Sequence, residues 1–172
     1  MLRWIFAGAV LLACPALAGD GGAEKPPLRW YIGPGAHLPL NLQEGGTGAV
    51  FSASVLADTG NWMVGLDVSA GVLAPASMLL GYAARVDRYL WSAGDAAYVG
   101  ATFGHLSESD GEDYGGDGPF AGAQVGYMLG RERQWLRAAV EAQVSFPLFG
   151  EKPNKPGDYV YPFITFGLRL FL

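Results

Sequence analysis

From Asn61 to Leu73 the chain alternates between apolar and small or polar residues with a period of two. Trp62, Val64, Leu66, Val68, Ala70 and Val72 share one face, and Asn61, Met63, Gly65, Asp67, Ser69 and Gly71 share the other. A helix of 3.6 residues per turn would scatter both sets around its circumference, so the segment reads as a strand. Seven further stretches alternate in the same way, and the expected strands are 28–38, 48–57, 61–73, 77–89, 96–107, 119–130, 134–147 and 159–172. No segment beyond the N-terminus has the ~20 consecutive apolar residues that a spanning helix needs. If this chain enters a membrane it does so with strands, and most of the runs approach or exceed the ~9–11 residues that a tilted spanning strand requires.

The N-terminal block is different in kind. Arg3 supplies a positive start, Trp4 to Leu12 a short apolar run and Ala16-Leu17-Ala18 a small-residue cleavage site, so residues 1–18 read as a cleaved signal peptide. Leu11-Leu12-Ala13-Cys14 is the alternative, a lipoprotein processing site. Cys14 is the one cysteine in the sequence, and cleavage after Ala18 removes it, which excludes disulfides and thiolate metal sites from the mature chain. Loss of Arg3 takes the net charge from −5 to −6. An acidic chain with no basic stripe argues against a nucleic-acid partner.

The connections alternate in length. Asp58-Thr59-Gly60 and Arg131-Glu132-Arg133 are short, Leu90 to Asp95 is moderate, and Pro39 to Thr47, Glu108 to Gly118 and Leu148 to Asp158 are long and polar; Ala74-Pro75-Ala76 breaks the pattern. Long loops at one end and tight turns at the other describe an up-and-down barrel with both termini on the periplasmic side. The expected fold is all-β, an eight-stranded antiparallel up-and-down transmembrane β-barrel over residues 28–172, with 19–27 a short periplasmic N-terminal segment.

A soluble ligand-binding barrel also alternates, with its apolar face inward. Two features favour the inverted arrangement. The polar face carries Gly33, Gly35, Gly65, Gly71, Gly81, Gly100, Gly104, Gly122, Gly126 and Gly167, suited to the crowded inside of a narrow barrel. Trp30, Trp62, Trp91 and Trp135 also fall together at the expected periplasmic end, as an interfacial aromatic belt would. The polar face then places Arg29, Asp67, Arg85, Asp87, Arg137, Glu141 and Arg169 in the lumen. Asp67 with Arg85, and Arg137 with Arg169 below Glu141, are the expected neighbours of a mixed-charge network. Bulky Tyr31, His37, Met63, Tyr98, Phe120, Met128, Tyr161 and Phe163 point the same way. Eight strands enclose only enough space for side chains to fill, so the lumen reads as plugged, either as a structural polar core or as a narrow gated ion path.

The chain ends Thr165-Phe166-Gly167-Leu168-Arg169-Leu170-Phe171-Leu172. Thr165, Gly167, Leu170 and Leu172 resemble the C-terminal assembly signal of bacterial outer-membrane proteins, although that signal more often ends in Phe. With the eight strands, the chain resembles the OmpA/OmpX-like small barrels. The resemblance implies export to the outer membrane of a Gram-negative bacterium, insertion by the barrel-assembly machinery, contact with outer-membrane lipid and lipopolysaccharide, and a monomer.

His105 and Ser107 lie two apart, on the outward face of the fifth strand near the expected extracellular rim. Their His-x-Ser spacing resembles that of PagL-type lipid A deacylases, in which a carboxylate orients the histidine. Here the motif continues with Glu108 where that family has Asn. Asp110, Glu112, Asp113 and Asp117 supply hard oxygens for a divalent cation, without EF-hand spacing. A solvated acidic loop is the alternative to that site, and two polar residues at a wet strand end are the alternative to catalysis. The expected role is structural or surface-interacting, with no cofactor and no enzyme activity.

Overall fold

The structure, a computed structural model, describes residues 28–40, 48–73, 77–91, 95–109, 114–131, 136–148 and 163–172. The expected signal peptide, the 19–27 segment and Trp135 lie outside the described residues. The strands are β1 (Arg29–Leu40), β2 (Gly48–Asp58), β3 (Trp62–Leu73), β4 (Ser77–Tyr89), β5 (Ala96–Ser109), β6 (Tyr114–Leu129), β7 (Arg137–Pro147) and β8 (Phe163–Phe171). Each pairs antiparallel with the next, and β1 pairs with β8, so the sheet closes into a barrel in sequence order. Ile32 and Leu172 exchange backbone hydrogen bonds at 3.3 and 3.0 Å and seal the seam beside the C-terminus. Closure leaves no edge strand to be covered.

The alternation read from the sequence is the alternation of the wall. On all eight strands the apolar set faces out, and among the described residues twenty-seven large hydrophobics are exposed, Ile32, Phe51, Leu66, Leu80, Val125 and Leu168 among them. Among the described residues thirteen polar or charged ones are buried, including Arg85, Asp87, Glu141 and Arg169. A soluble barrel has the opposite arrangement, because a wall of exposed apolar side chains on this scale would drive association in water.

Turn chemistry sets the end that carries the termini. The β2–β3 turn uses Gly60 at φ 91°, where a side chain would be strained, and Asp58 Oδ1 accepts the Gly60 N–H at 2.7 Å. Opposite it, Asp95 Oδ1 accepts the Gly130 N–H at 2.6 Å, and Trp91 Nε1 donates to the Asp95 carbonyl at 2.6 Å.

One expected loop is strand instead. Residues 114–118 continue β6, with Ser107 opposite Asp117, Glu108 opposite Gly116 and a register shift before Ser109–Tyr114. The run Gly115-Gly116-Asp117-Gly118 has loop composition, but a ladder is made by backbone groups, and β5 presents partners for Gly116, Asp117 and Gly118, with Gly115 passed over at the register shift. Strand β7 starts at Arg137, later than expected, and β1 runs on to Leu40, while positions 159–162 of the expected last strand lie outside the described residues.

Inward glycines are the counterpart of inward rings. Tyr98 on β5 lies opposite Gly126 on β6, and a Cβ added at Gly126 would collide with the Tyr98 ring. We expect Gly126→Val to cost about 1–3 kcal/mol by overpacking, lowering the urea midpoint in detergent micelles. Ala123→Val, on the exposed outer wall of the same strand, should leave the midpoint unchanged.

Candidate functional site

The lumen has three levels. At the end that carries the termini it is filled by Tyr31, Leu56, Met63, Tyr89, Met128 and Phe171, all buried. These are large side chains at inward positions on six different strands, and they leave no open passage at that level among the described residues.

Set into that layer is a small polar tier. Arg137 Nη1 lies 3.4 Å from Asp58 Oδ2, and its guanidinium sits 4.3 Å from the centre of the Tyr31 ring. Arg131 is stacked 3.7 Å over the Tyr89 ring and donates to the carbonyls of Trp91 and Gly60. Hydrogen bonds to main-chain oxygens thus hold a cation at the mouth of the barrel.

Above the apolar layer lies the main charge network. Arg85 Nε donates to Asp87 Oδ2 at 2.5 Å, and its Nη2 donates to Glu141 Oε1 at 2.6 Å. Arg169 Nε donates to the other Glu141 oxygen at 3.1 Å, while its Nη1 and Nη2 hold both oxygens of Asp67 at 3.1 and 3.3 Å. Tyr98 donates its hydroxyl to Glu141 at 2.5 Å, and Gln124 donates its amide to Asp87. Glu141 therefore bridges two guanidiniums, and the cluster joins β3 through β8.

Of the seven lumen charges expected from the sequence, Asp67, Arg85, Asp87, Glu141 and Arg169 come together. Two do not. Arg29 is exposed at the first position of β1, because its inward direction there leads out of the barrel mouth rather than into the lumen. Arg137 lies a tier below and pairs with Asp58 instead of joining Arg169 under Glu141. The expected Asp67–Arg85 pair is present but long, at 3.7 Å, and Asp67 is held chiefly by Arg169. Asp58, Tyr98 and Gln124 are the members that sequence reasoning missed as network groups; inward parity on their strands is the signal that could have found them.

The third level is hollow. A cavity of about 70 Å³ occupies the half of the lumen away from the termini. Asp67 and Arg169 form its floor; Ser52, Ser69, Thr102 and Thr165 supply hydroxyls, and Val50, Leu79, Leu106 and Phe120 supply apolar wall. His37 and Ser52 share a hydrogen bond at 3.0 Å, and Gln143 donates to Ser145 at 3.0 Å.

The outer sites fall as follows. His105 lies on the outer face of β5, stacked on Tyr82 with ring centres 5.7 Å apart and planes 11° from parallel. Ser107 is two residues along the same face, and the register sets it opposite Asp117 of β6. Asp110, Glu112 and Asp113 lie outside the described residues, and Asp117 is in a strand rather than a loop. Trp30 and Trp91 are exposed on the outside at the end bearing the termini. Trp62, with Arg88 stacked 5.5 Å over its ring, joins them there. In β8, Thr165 is buried and Gly167 faces in beneath the His37 ring, while Leu170 and Leu172 are exposed outward.

An inside-out barrel of eight antiparallel strands with a charge-paired lumen defines the class: a small barrel built like those of outer membranes. Its fold is similar to that in the crystal structure of Neisserial surface protein A (NspA), with a TM-score of 0.68 at 11% sequence identity, covering 86% of this chain and 99% of that one. No family model and no curated protein matches the chain.

Glu141 is the acid on which both central guanidiniums depend. Glu141→Ala leaves Arg85 and Arg169 partly unpaired in a buried setting, and removal of one partner from such a set costs about 3–5 kcal/mol. The urea midpoint in detergent should fall accordingly, while Arg29→Ala, at the exposed mouth, should leave it in place.

Proposed function

We propose that this chain is an outer-membrane protein of a Gram-negative bacterium with a structural or surface-interacting role and a lumen that does not conduct. The observation that carries this is the wall: apolar and exposed on every strand, with the mid-strand charges turned inward. Hydrocarbon is the solvent that such a surface fits. A charge on the lipid side would cost about 2–4 kcal/mol at mid-depth, and none of the central charges is on that side.

The tryptophans fit an interfacial belt at the periplasmic face. The alternation of Thr165 and Gly167 inward with Leu170 and Leu172 outward suits a strand handed to the barrel-assembly machinery. Outer-membrane lipid and lipopolysaccharide are the partners of the wall itself. The filled level at the end bearing the termini supports a closed lumen.

Two measurements test this reading. The mature protein should fractionate with outer membranes and run with heat-dependent mobility on denaturing gels; recovery in the soluble periplasmic fraction would sink the assignment. In planar bilayers the purified barrel should give no unitary conductance.

A second reading, a lipid A-modifying hydrolase, is favoured by the outward pair His105 and Ser107 with Asp117 in register across from the serine. Its test is mass spectrometry of lipid A with and without expression. An acyl loss that vanishes in His105→Ala would establish it, and unchanged lipid A would remove it.

A further inference from the structure

We propose that the hollow half of the lumen is a binding site for a small primary alkylammonium ion, with Asp67 as its anionic anchor. The inference rests on the cavity in the folded barrel and goes beyond the reading of the wall.

The site follows from which residues are small. In the half of the lumen away from the termini, inward positions are held by Gly35, Ser52, Ser69, Gly81, Gly104 and Gly122, among others. In the other half the inward glycines lie against large side chains, Gly33 against Phe171, Gly65 against Leu56 and Gly126 against Tyr98. A narrow barrel with side chains this small on one level cannot fill it, and the cavity of about 70 Å³ is what remains. That volume holds a handful of waters or one ligand of a few heavy atoms.

Charge selects the sign of the ligand. The network at the floor sets three carboxylates, Asp67, Asp87 and Glu141, against two guanidiniums, Arg85 and Arg169, an excess of one negative charge. The compensating cations, Arg131 and Arg137 against Asp58, belong to the tier at the other end of the lumen. The lumen is therefore polarised along its axis, with its negative side toward the cavity. Of the three acids, Asp87 and Glu141 are sealed below at 0% and 4% side-chain exposure, whereas Asp67 keeps 14% and lines the cavity. An arriving ammonium meets that carboxylate first. Arg169 donates to both Asp67 oxygens and Arg85 Nη1 lies 3.7 Å from Oδ2, but Oδ1 retains a second acceptor direction.

The wall selects the body of the ligand. Ser69 and Thr102 provide hydroxyl acceptors for the remaining ammonium hydrogens, and Val50, Leu79, Leu106 and Phe120 form apolar surface suited to a short alkyl chain. An anion is disfavoured by the excess charge, and a bare metal ion would leave the apolar wall unused.

The test uses the full barrel refolded in detergent micelles, with methyl groups of Val50, Leu79 and Leu106 observed by NMR. The ligands are n-butylammonium, n-butanol and butyrate. Saturable shifts are expected with n-butylammonium, at least tenfold weaker binding with n-butanol, and none with butyrate. Asp67→Asn should weaken n-butylammonium binding at least tenfold. Because that substitution touches the charge network, Ser69→Leu provides a second variant that fills the cavity from an inward position outside the network. It should abolish the shifts while the barrel keeps its heat-dependent gel mobility. Equal binding of alcohol and ammonium, no saturable shift with the folded wild-type barrel, or binding that survives Ser69→Leu would each overturn the proposal.

Discussion

Glu141 between Arg85 and Arg169 is the contact around which the lumen is organised. A wall that presents apolar side chains outward on every strand leaves the lumen as the place for charge at mid-strand height. Inside, a carboxylate loses its water and recovers the loss only through close partners. Glu141 recovers it three times, from two guanidiniums and the Tyr98 hydroxyl at 2.5–3.1 Å. The guanidiniums in turn have donors to spare, which is why Asp87 and Asp67 are drawn in. The planar fork of arginine suits this better than an ammonium would, because one side chain can serve two acids in fixed directions. The Asp67–Arg169 contact joins residues 102 apart in sequence, so the network also fixes how far the strands slide past one another around the barrel.

The strands and their faces were legible because both rest on a local signal. Period-two alternation assigns inside and outside one residue at a time, and all ten glycines read as polar-face do face inward. What alternation cannot supply is distance across the lumen. Asp67 and Arg169 lie on strands that are not paired, and their meeting depends on strand tilt and closure, which no single run of residues encodes. Neighbour-strand logic therefore chose Arg85 for Asp67, a real contact but the longer one. It also chose Arg169 for Arg137, where the actual partner, Asp58, had been read only as the start of a turn. Asp58 does both jobs, one oxygen capping Gly60 and the other facing Arg137. The first residues of β6 were missed for a different reason: glycine composition reports flexibility of the free chain, and pairing with β5 overrides it.

The two halves of the lumen differ although the strands that build them are continuous. Where inward positions are large, rings meet edge to face, as Tyr31 with Phe171 and Tyr89 with Tyr98. In both halves a ring can cover a glycine on the adjacent strand, as Tyr98 covers Gly126 and His37 covers Gly167. A glycine beneath a ring keeps strand contact without adding volume, so the barrel can hold its curvature while leaving space above the charges. The hollow is thus a consequence of residue size along one level and not of a wider barrel.

A passage through this lumen would have to breach two unlike barriers in series. The aromatic and aliphatic layer resists ions because it is filled by side chains from most of the strands and the carboxylate set into it, Asp58, is already paired with Arg137. The charge cluster resists because every carboxylate in it is held by a guanidinium. Shifting Arg85 exposes Asp87 and Glu141 together, and shifting Arg169 exposes Glu141 and Asp67. Coupling of this kind makes the loss of one pair more costly than a pair alone. A ligand that enters from the hollow half meets neither barrier. It needs only to reach the cavity beside Asp67, and for that reason the lumen is better suited to hold a small cation than to pass one.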